Sequence, residues 1–296
     1  MTPQMPDRSR RPYTWIPLLA ALALSLFPAS ALSDETPLVL SETQLNALLA
    51  SSSISLRAYV EPDKALVGSQ YLGLLRDDKP VGYELFSTEI VQRRGVSVYS
   101  FDDRAFLRAS EDATVRITSL GFSDRSFSGL QSSLHLLVTG PSPADLTSSA
   151  SRAGDVLHVD LPLRGDAPAQ SLRIDTAGKV VALSGELQRL IRLRKWQPGD
   201  LLALWHLDLA NGSLEPVVLR ARDNSEKTLA GRPLGPVKVE TWAQADPAHP
   251  ALVLQTTTYF DLAGAVTLVT RPDGLTKLVI SKSDFDKDWA PKFAPP

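Results

Sequence analysis

The chain has 296 residues, with 31 Lys and Arg against 33 Asp and Glu, a formal net charge of −2 and no cysteine. That balance gives no electrostatic reason to hold nucleic acid or anionic lipid. Without a thiol there is no disulfide, no thiolate metal ligand, no cysteine nucleophile and no residue to carry a lipid at an export cleavage site.

The N-terminus reads as an address. Arg8, Arg10 and Arg11 precede an apolar run from Trp15 to Phe27, and the small residues Ala29-Ser30-Ala31 follow. Positive, apolar, then small is the order of a secretory signal peptide, here over 1–31. The apolar run is well short of the roughly 20 residues that cross a bilayer as a helix, so a cleaved leader is expected rather than an anchor. Ser9-Arg10-Arg11-Pro12-Tyr13 resembles a twin-arginine export motif, with Thr14 where leucine is usual. The expected location is periplasmic. Loss of the leader takes away three arginines and one aspartate and leaves a mildly acidic chain with no later stretch of membrane-spanning length.

Residues 32–66 read as a linker with one short helix. Ser41 and Gln44 form a Ser-x-x-Gln capping box, and Leu45, Leu48 and Leu49 follow at helical spacing, predicting a helix over about 42–51. Residues 67–290 read as a single β domain. Strands over 70–75 and 82–91 flank a turn at Asp77-Asp78-Lys79-Pro80, and further strands are expected near 95–101, 104–110, 113–120, 126–138 and 155–163. Residues 140–153, rich in Pro, Ser, Ala, Asp and Gly, read as a loop. Leu183, Leu187, Leu190 and Ile191 share one helical face, with Ser184 placed to cap it. Arg189, Arg192, Arg194 and Lys195 supply positive charge near its C-terminal end. That predicts a helix over about 185–195 whose basic side is solvated, or else takes up an anion. Strands then recur at 201–209, 215–221, 237–243, 252–260, 265–271 and 275–281, and 291–296 reads as a disordered tail. The fold class is therefore all-β with one or two short helices: a large twisted antiparallel meander, partly rolled into a half-barrel.

Several turn motifs carry a resemblance. Tyr71-Leu72-Gly73 with Lys79-Pro80-Val81-Gly82-Tyr83 resembles the opening hairpin of a group of exported bacterial β domains. Tyr259-Phe260-Asp261, Gly264, Val266, Pro272 and Gly274-Leu275 resemble its closing strands. The group includes DUF3108-like periplasmic proteins and the N-terminal β domain associated with some bacterial transglutaminases, and its architecture is similar to the curled-sheet carriers of the LolA type. The resemblance implies a curled sheet over about 69–285. It implies no catalysis, since the transglutaminase cysteine has no counterpart here.

Candidate chemistry is sparse. His158 and Asp160 are two apart, as are His206 and Asp208, so each pair shares a strand face. Were the two strands neighbours, four ligands could converge on a metal such as Zn²⁺; the competing reading is a polar face with scattered His and Asp. His135 lacks a nearby carboxylate in sequence and reads as structural. Asp284, Asp286 and Asp288 lack the Gly and the distal acid of a calcium loop and read as solvated. No nucleophile elbow and no phosphate-binding loop occurs in the sequence. Trp205, Leu207 and Trp242 are the candidate ligand-facing residues of a concave apolar wall that two short helices would leave partly uncovered. The expected function is a non-catalytic periplasmic protein, with no cofactor, that binds a hydrophobic small molecule or an envelope protein partner. The alternatives are a structural subunit of an envelope complex, and a metal protein or hydrolase built on the His-x-Asp pairs.

Overall fold

The computed structural model describes residues 38–58, 67–124, 129–162, 169–183, 186–210, 212–246 and 249–293. The leader at 1–31 and Ser184 lie outside them. The first half contributes β1 (Gly68–Arg76), β2 (Lys79–Arg93), β3 (Val96–Arg108), β4 (Thr114–Ser123), β5 (Gly129–Thr139), β6 (Ala144–Ala153), β7 (Val156–Leu161), β8 (Gln170–Asp175) and β9 (Val181–Ala182). The second contributes β10 (Leu201–Asp208), β11 (Ser213–Asp223), β12 (Thr228–Leu229), β13 (Arg232–Pro233), β14 (Val237–Asp246), β15 (His249–Phe260), β16 (Val266–Thr270) and β17 (Leu275–Ile280). Helix α1 spans Glu42–Ala58 and α2 spans Glu186–Leu193. A third helical run, α3, joins Lys282–Asp284, a π segment Phe285–Trp289 and Ala290–Phe293. No described helix is long and apolar enough to cross a membrane.

Fifteen strands form one sheet in the order β8-β7-β6-β5-β4-β3-β2-β1-β17-β16-β15-β14-β11-β10-β9. All the pairings are antiparallel except β9 with β10. Tight turns set the register. Asp77 and Asp78 both have positive φ (49° and 60°), as do Arg94 and Gly95 (51° and 78°), the two-residue geometry that matches the strands' right-handed twist. Bulges near Leu74/Leu75, Phe122/Ser123, Thr241/Trp242 and Tyr259/Phe260 add local twist and bend the sheet.

Residues paired across strands share a face, so one face can be followed through the sheet. Leu204, Val269, Leu72, Asp103, Leu134 and Val159 all lie on it. This face closes around α2. Leu190 and Ile191 pack against Leu204 and Val269 on one side, while Arg189 reaches Thr88 and Asp103 on the other. The roll then passes beyond contact of edges. Leu157 and Val159 of β7 pack against Leu207 and Leu209, and Leu207 lies on the opposite side of β10 from Leu204. One margin of the sheet overlaps the back of the other, like a scroll. Gly212 sits at the overlap, where a Cβ would come within 2.8 Å of Leu161 and Leu172.

The rest of that back is covered by α1. Its capping box forms as read: Gln44 N–H donates to Ser41 Oγ at 3.2 Å and Ser41 N–H to Gln44 Oε1 at 2.9 Å. The helix runs seven residues further than predicted. Leu49 packs with Ala203, Val218, Trp242 and Leu252, and Ser52 Oγ accepts the Ala203 N–H at 2.9 Å, which holds the helix to the edge of β10.

Several expectations need correction. Residues 144–153 are strand β6, not loop: registers with β5 and β7 impose the extended form on Ser and Ala, whose own β-propensity is low. His135, on strand β5, pairs across the sheet with Asp145 of β6 at 2.7 Å, a partner distant in sequence. The tail expectation fails for 291–293, which are helical with Phe293 buried. Phe285, Trp289 and Phe293 recur every four residues; Phe285 and Phe293 lie on Tyr71, Tyr83 and Phe106 and Trp289 stacks on Phe293, while Asp284, Asp286 and Asp288 stay exposed.

Trp289 fits only because residue 73 has no side chain: a Cβ there would lie 2.4 Å from the indole. Gly73→Ala should cost about 1–3 kcal/mol through overpacking. The loss should shrink in the double variant Gly73→Ala/Trp289→Leu, a non-additivity that chemical denaturation of the three variants measures.

Candidate functional site

The interior is organised by α2. Its apolar side, Leu190 and Ile191 with the partly buried Leu187, seats on Leu202, Leu204, Val217 and Leu219. Trp196 caps the end, donating its indole N–H to Ile191 O at 2.8 Å. The basic side is solvated only in part, contrary to the sequence reading: Lys195 is exposed, Arg192 and Arg194 are half-buried, and Arg189 is enclosed. Arg189 is 1% exposed. Its Nε donates to Thr88 Oγ1 at 2.7 Å, Nη1 to Asp103 Oδ2 at 2.9 Å, and Nη2 to Asp103 Oδ1 at 2.5 Å and to Ser87 O at 2.8 Å. The guanidinium also lies 4.2 Å from the Phe101 ring centroid. Burial pushes the Asp103 carboxyl up, and the Arg189 fork opposes that push.

Glu186 opens the helix and is fully enclosed. Its Oε2 accepts the Leu183 N–H at 2.6 Å. Burial pushes this carboxyl up to about 8, against that hydrogen bond and the charges of Arg189 and Arg152, while Asp124 adds to the rise.

One strip of the inner face beside α2 is less completely covered. Glu84, Phe86, Lys277 and Val279 on the wall, with Leu187 and Arg192 on the helix, are each only half-buried. Lys277 Nζ bonds Glu84 at 2.7 and 3.0 Å across β1. Arg192 places its guanidinium 5.0 Å from the Phe86 ring centroid. Arg194, further on, is held by Asp200 at 3.2 Å and lies over Trp196.

The residues singled out in the sequence are placed elsewhere. Trp205, Leu207 and Trp242 do not face the concave side. Leu207 (0% exposed) is covered by β7 and β8, and Trp242 (3%) by α1; Trp205 packs at the junction of both clusters. The chain supplies its own lid there. The two His-x-Asp pairs are not brought together. His158 and Asp160 are exposed on the outside of β7, with Ser171 Oγ donating to Asp160 at 2.6 Å. His206 and Asp208 point inward from β10, on the side away from β7. Asp208 is spent on the Ala210 N–H at 2.8 Å. Among the described residues, no three His, Asp or Glu side chains are placed to hold a metal ion. His206 is instead the cross-strand partner of Glu215, which accepts from Ser213 Oγ at 2.8 Å. Burial lowers the imidazole, with Asp208 acting the other way, and raises the Glu215 carboxyl.

No family model and no curated protein matches the chain. Among solved structures it is similar to a β-barrel-like protein of domain of unknown function DUF1849 from Brucella abortus, at 9% identity and a TM-score of 0.44, covering 73% of this chain and 97% of that one. That designation differs from the family that the turn motifs resemble.

Two measurements test the interior. Arg189→Met strands a buried carboxylate and should cost about 3–5 kcal/mol. Arg189→Met/Asp103→Leu should recover most of that loss in the same denaturation assay, since a buried pair replaced by apolar groups is often neutral. Glu186 sets a pH slope. Between its ordinary value near 4.5 and about 8, the folded chain holds a proton that the unfolded chain releases. Stability should therefore fall as pH rises through that window, by up to about 5 kcal/mol, and level off above it. Glu186→Gln should flatten this part of the profile in thermal melts taken from pH 4.5 to 8.5.

Proposed function

We propose that the chain is an exported, periplasmic, non-catalytic binding or accessory protein. Its hydrophobic ligand or partner would meet the half-open strip of inner sheet face beside α2. The observation that carries this reading is that Phe86, Leu187 and Val279 are only partly buried on a concave wall whose neighbouring positions Leu202, Leu204 and Val217 are sealed by α2. Apolar groups converging in a concavity with a few fixed charges are what small-molecule sites are made of. The leader read at 1–31 supports delivery across the inner membrane.

A second reading, a structural subunit of an envelope complex, has one observation in its favour. β8 stands at the end of the sheet order, and a terminal strand can add a strand from another chain.

The test begins with mature protein purified from the periplasm. Organic-solvent extraction and mass spectrometry should return one apolar compound at near-stoichiometric yield. A clean extract, with an envelope protein retained through native purification, would favour the second reading. A clean extract and no retained protein would sink both.

A further inference from the structure

The charges along the half-open strip do not balance, and the imbalance names a ligand chemistry. Arg189 is matched by Asp103, and Lys277 by Glu84. Among the described residues, Arg192 is left over. Its guanidinium lies on Phe86 and makes no hydrogen bond or ion pair with any described residue. Asp103 and Glu84 act on it only through space, and each already carries its own cation. Burial and the neighbouring Arg189 push Arg192 down to about 10, the direction expected of a cation short of a counter-charge.

We infer that Arg192 is the head-group site for a monoanionic amphiphile, a carboxylate on an aliphatic chain, whose tail lies along Phe86, Leu187 and Val279. This rests on the binding function proposed above and gives it a substrate class. A guanidinium is a planar fork that grips a carboxylate through two parallel N–H···O bonds, and it is more weakly hydrated than an ammonium. One unmatched cation suits one negative charge; a di- or triphosphate would bring charge that the strip cannot neutralise. The apolar side chains next to the fork argue against a bare inorganic anion, which would gain nothing from them. Arg194 and Lys195 do not compete for the head group. Arg194 is held by Asp200, and Lys195 is exposed.

The experiment uses the mature full chain and three probes followed by calorimetry: dodecanoate, dodecanol and acetate. Dodecanoate should bind, dodecanol more weakly, and acetate not measurably. Arg192→Gln should weaken dodecanoate at least tenfold and leave dodecanol unchanged, and Arg192→Lys should fall between. Equal binding of dodecanoate and dodecanol, or indifference of dodecanoate to Arg192→Gln, overturns the head-group assignment while leaving an apolar site standing. Binding of neither probe overturns the assignment outright, and extraction of the native protein then judges the broader reading separately. A companion measurement keeps structure apart from recognition. Arg192→Met should raise the thermal midpoint, because it removes a half-buried, unmatched charge; a lowered midpoint would show that Arg192 supports the fold and overturn its assignment to a ligand.

Discussion

The buried fork between Arg189 and Asp103 is the constraint on which the rest of the interior depends. An eight-residue helix has little stability of its own, and the apolar side of α2 could slide along a greasy wall without much penalty. The arginine removes that freedom. Its hydrogen bonds to Thr88, Ser87 and Asp103 require α2 to sit at one depth and one rotation. Because these partners lie on β2 and β3 while Leu190 and Ile191 touch β10 and β16, the helix is clamped between opposite walls. The contact joins residues 86 apart in sequence, so it also fixes how tightly the sheet can roll.

With the radius set from inside, the overlap of the two margins follows. A fifteen-stranded open sheet presents two unpaired edges, which are aggregation templates. Here β7 and β8 lie over the back of β9 and β10, and the Leu157, Val159, Leu207 and Leu209 cluster holds them there. The closure is made by side chains rather than by a ladder of backbone bonds. That asks for small residues where the layers approach, and Ala150 and Gly212 stand at those positions. The Ser- and Ala-rich composition of β6, so uninformative as a strand signal, suits a wall that must come close to another layer.

What could be read from the sequence was local. Alternation and turn residues exposed the antiparallel meander, Ser41 and Gln44 marked the start of α1, and the 3.6-residue spacing of Leu183, Leu187, Leu190 and Ile191 marked α2. What could not be read was non-local. Four basic residues at the end of a short helix look the same whether they face water or a carboxylate two strands away, so Arg189 gave no sign of its burial. Trp205 and Leu207 were recognisably apolar, but alternation alone cannot say which face of a strand is the concave one. The pairing of His158 with His206 failed for the same reason: the two strands lie in different layers, back to front. The four-residue spacing of Phe285, Trp289 and Phe293 is the local signal of the C-terminal helix, and the acidic residues between them form its solvated side.

The sealing of the apolar wall changes what kind of binding the fold can support. A wholly greasy concave face would recognise its occupant by area alone and discriminate poorly between apolar molecules. Here α2 and the overlapping margin cover much of that face, α1 lies on its back, and the less covered strip is bordered by Glu84, Lys277 and Arg192. For an occupant of such a place, the fixed charges would decide what fits. The Lys277–Glu84 pair is self-satisfied and repels nothing strongly. On the binding reading proposed above, the guanidinium of Arg192, set in a partly desolvated position where electrostatic interactions are stronger than in water, would dominate selection. Placing that charge on α2 has a further consequence. Anything bound to it loads the same helix that Arg189 anchors, one turn away, so occupancy of the strip and the tightness of the roll are mechanically the same element.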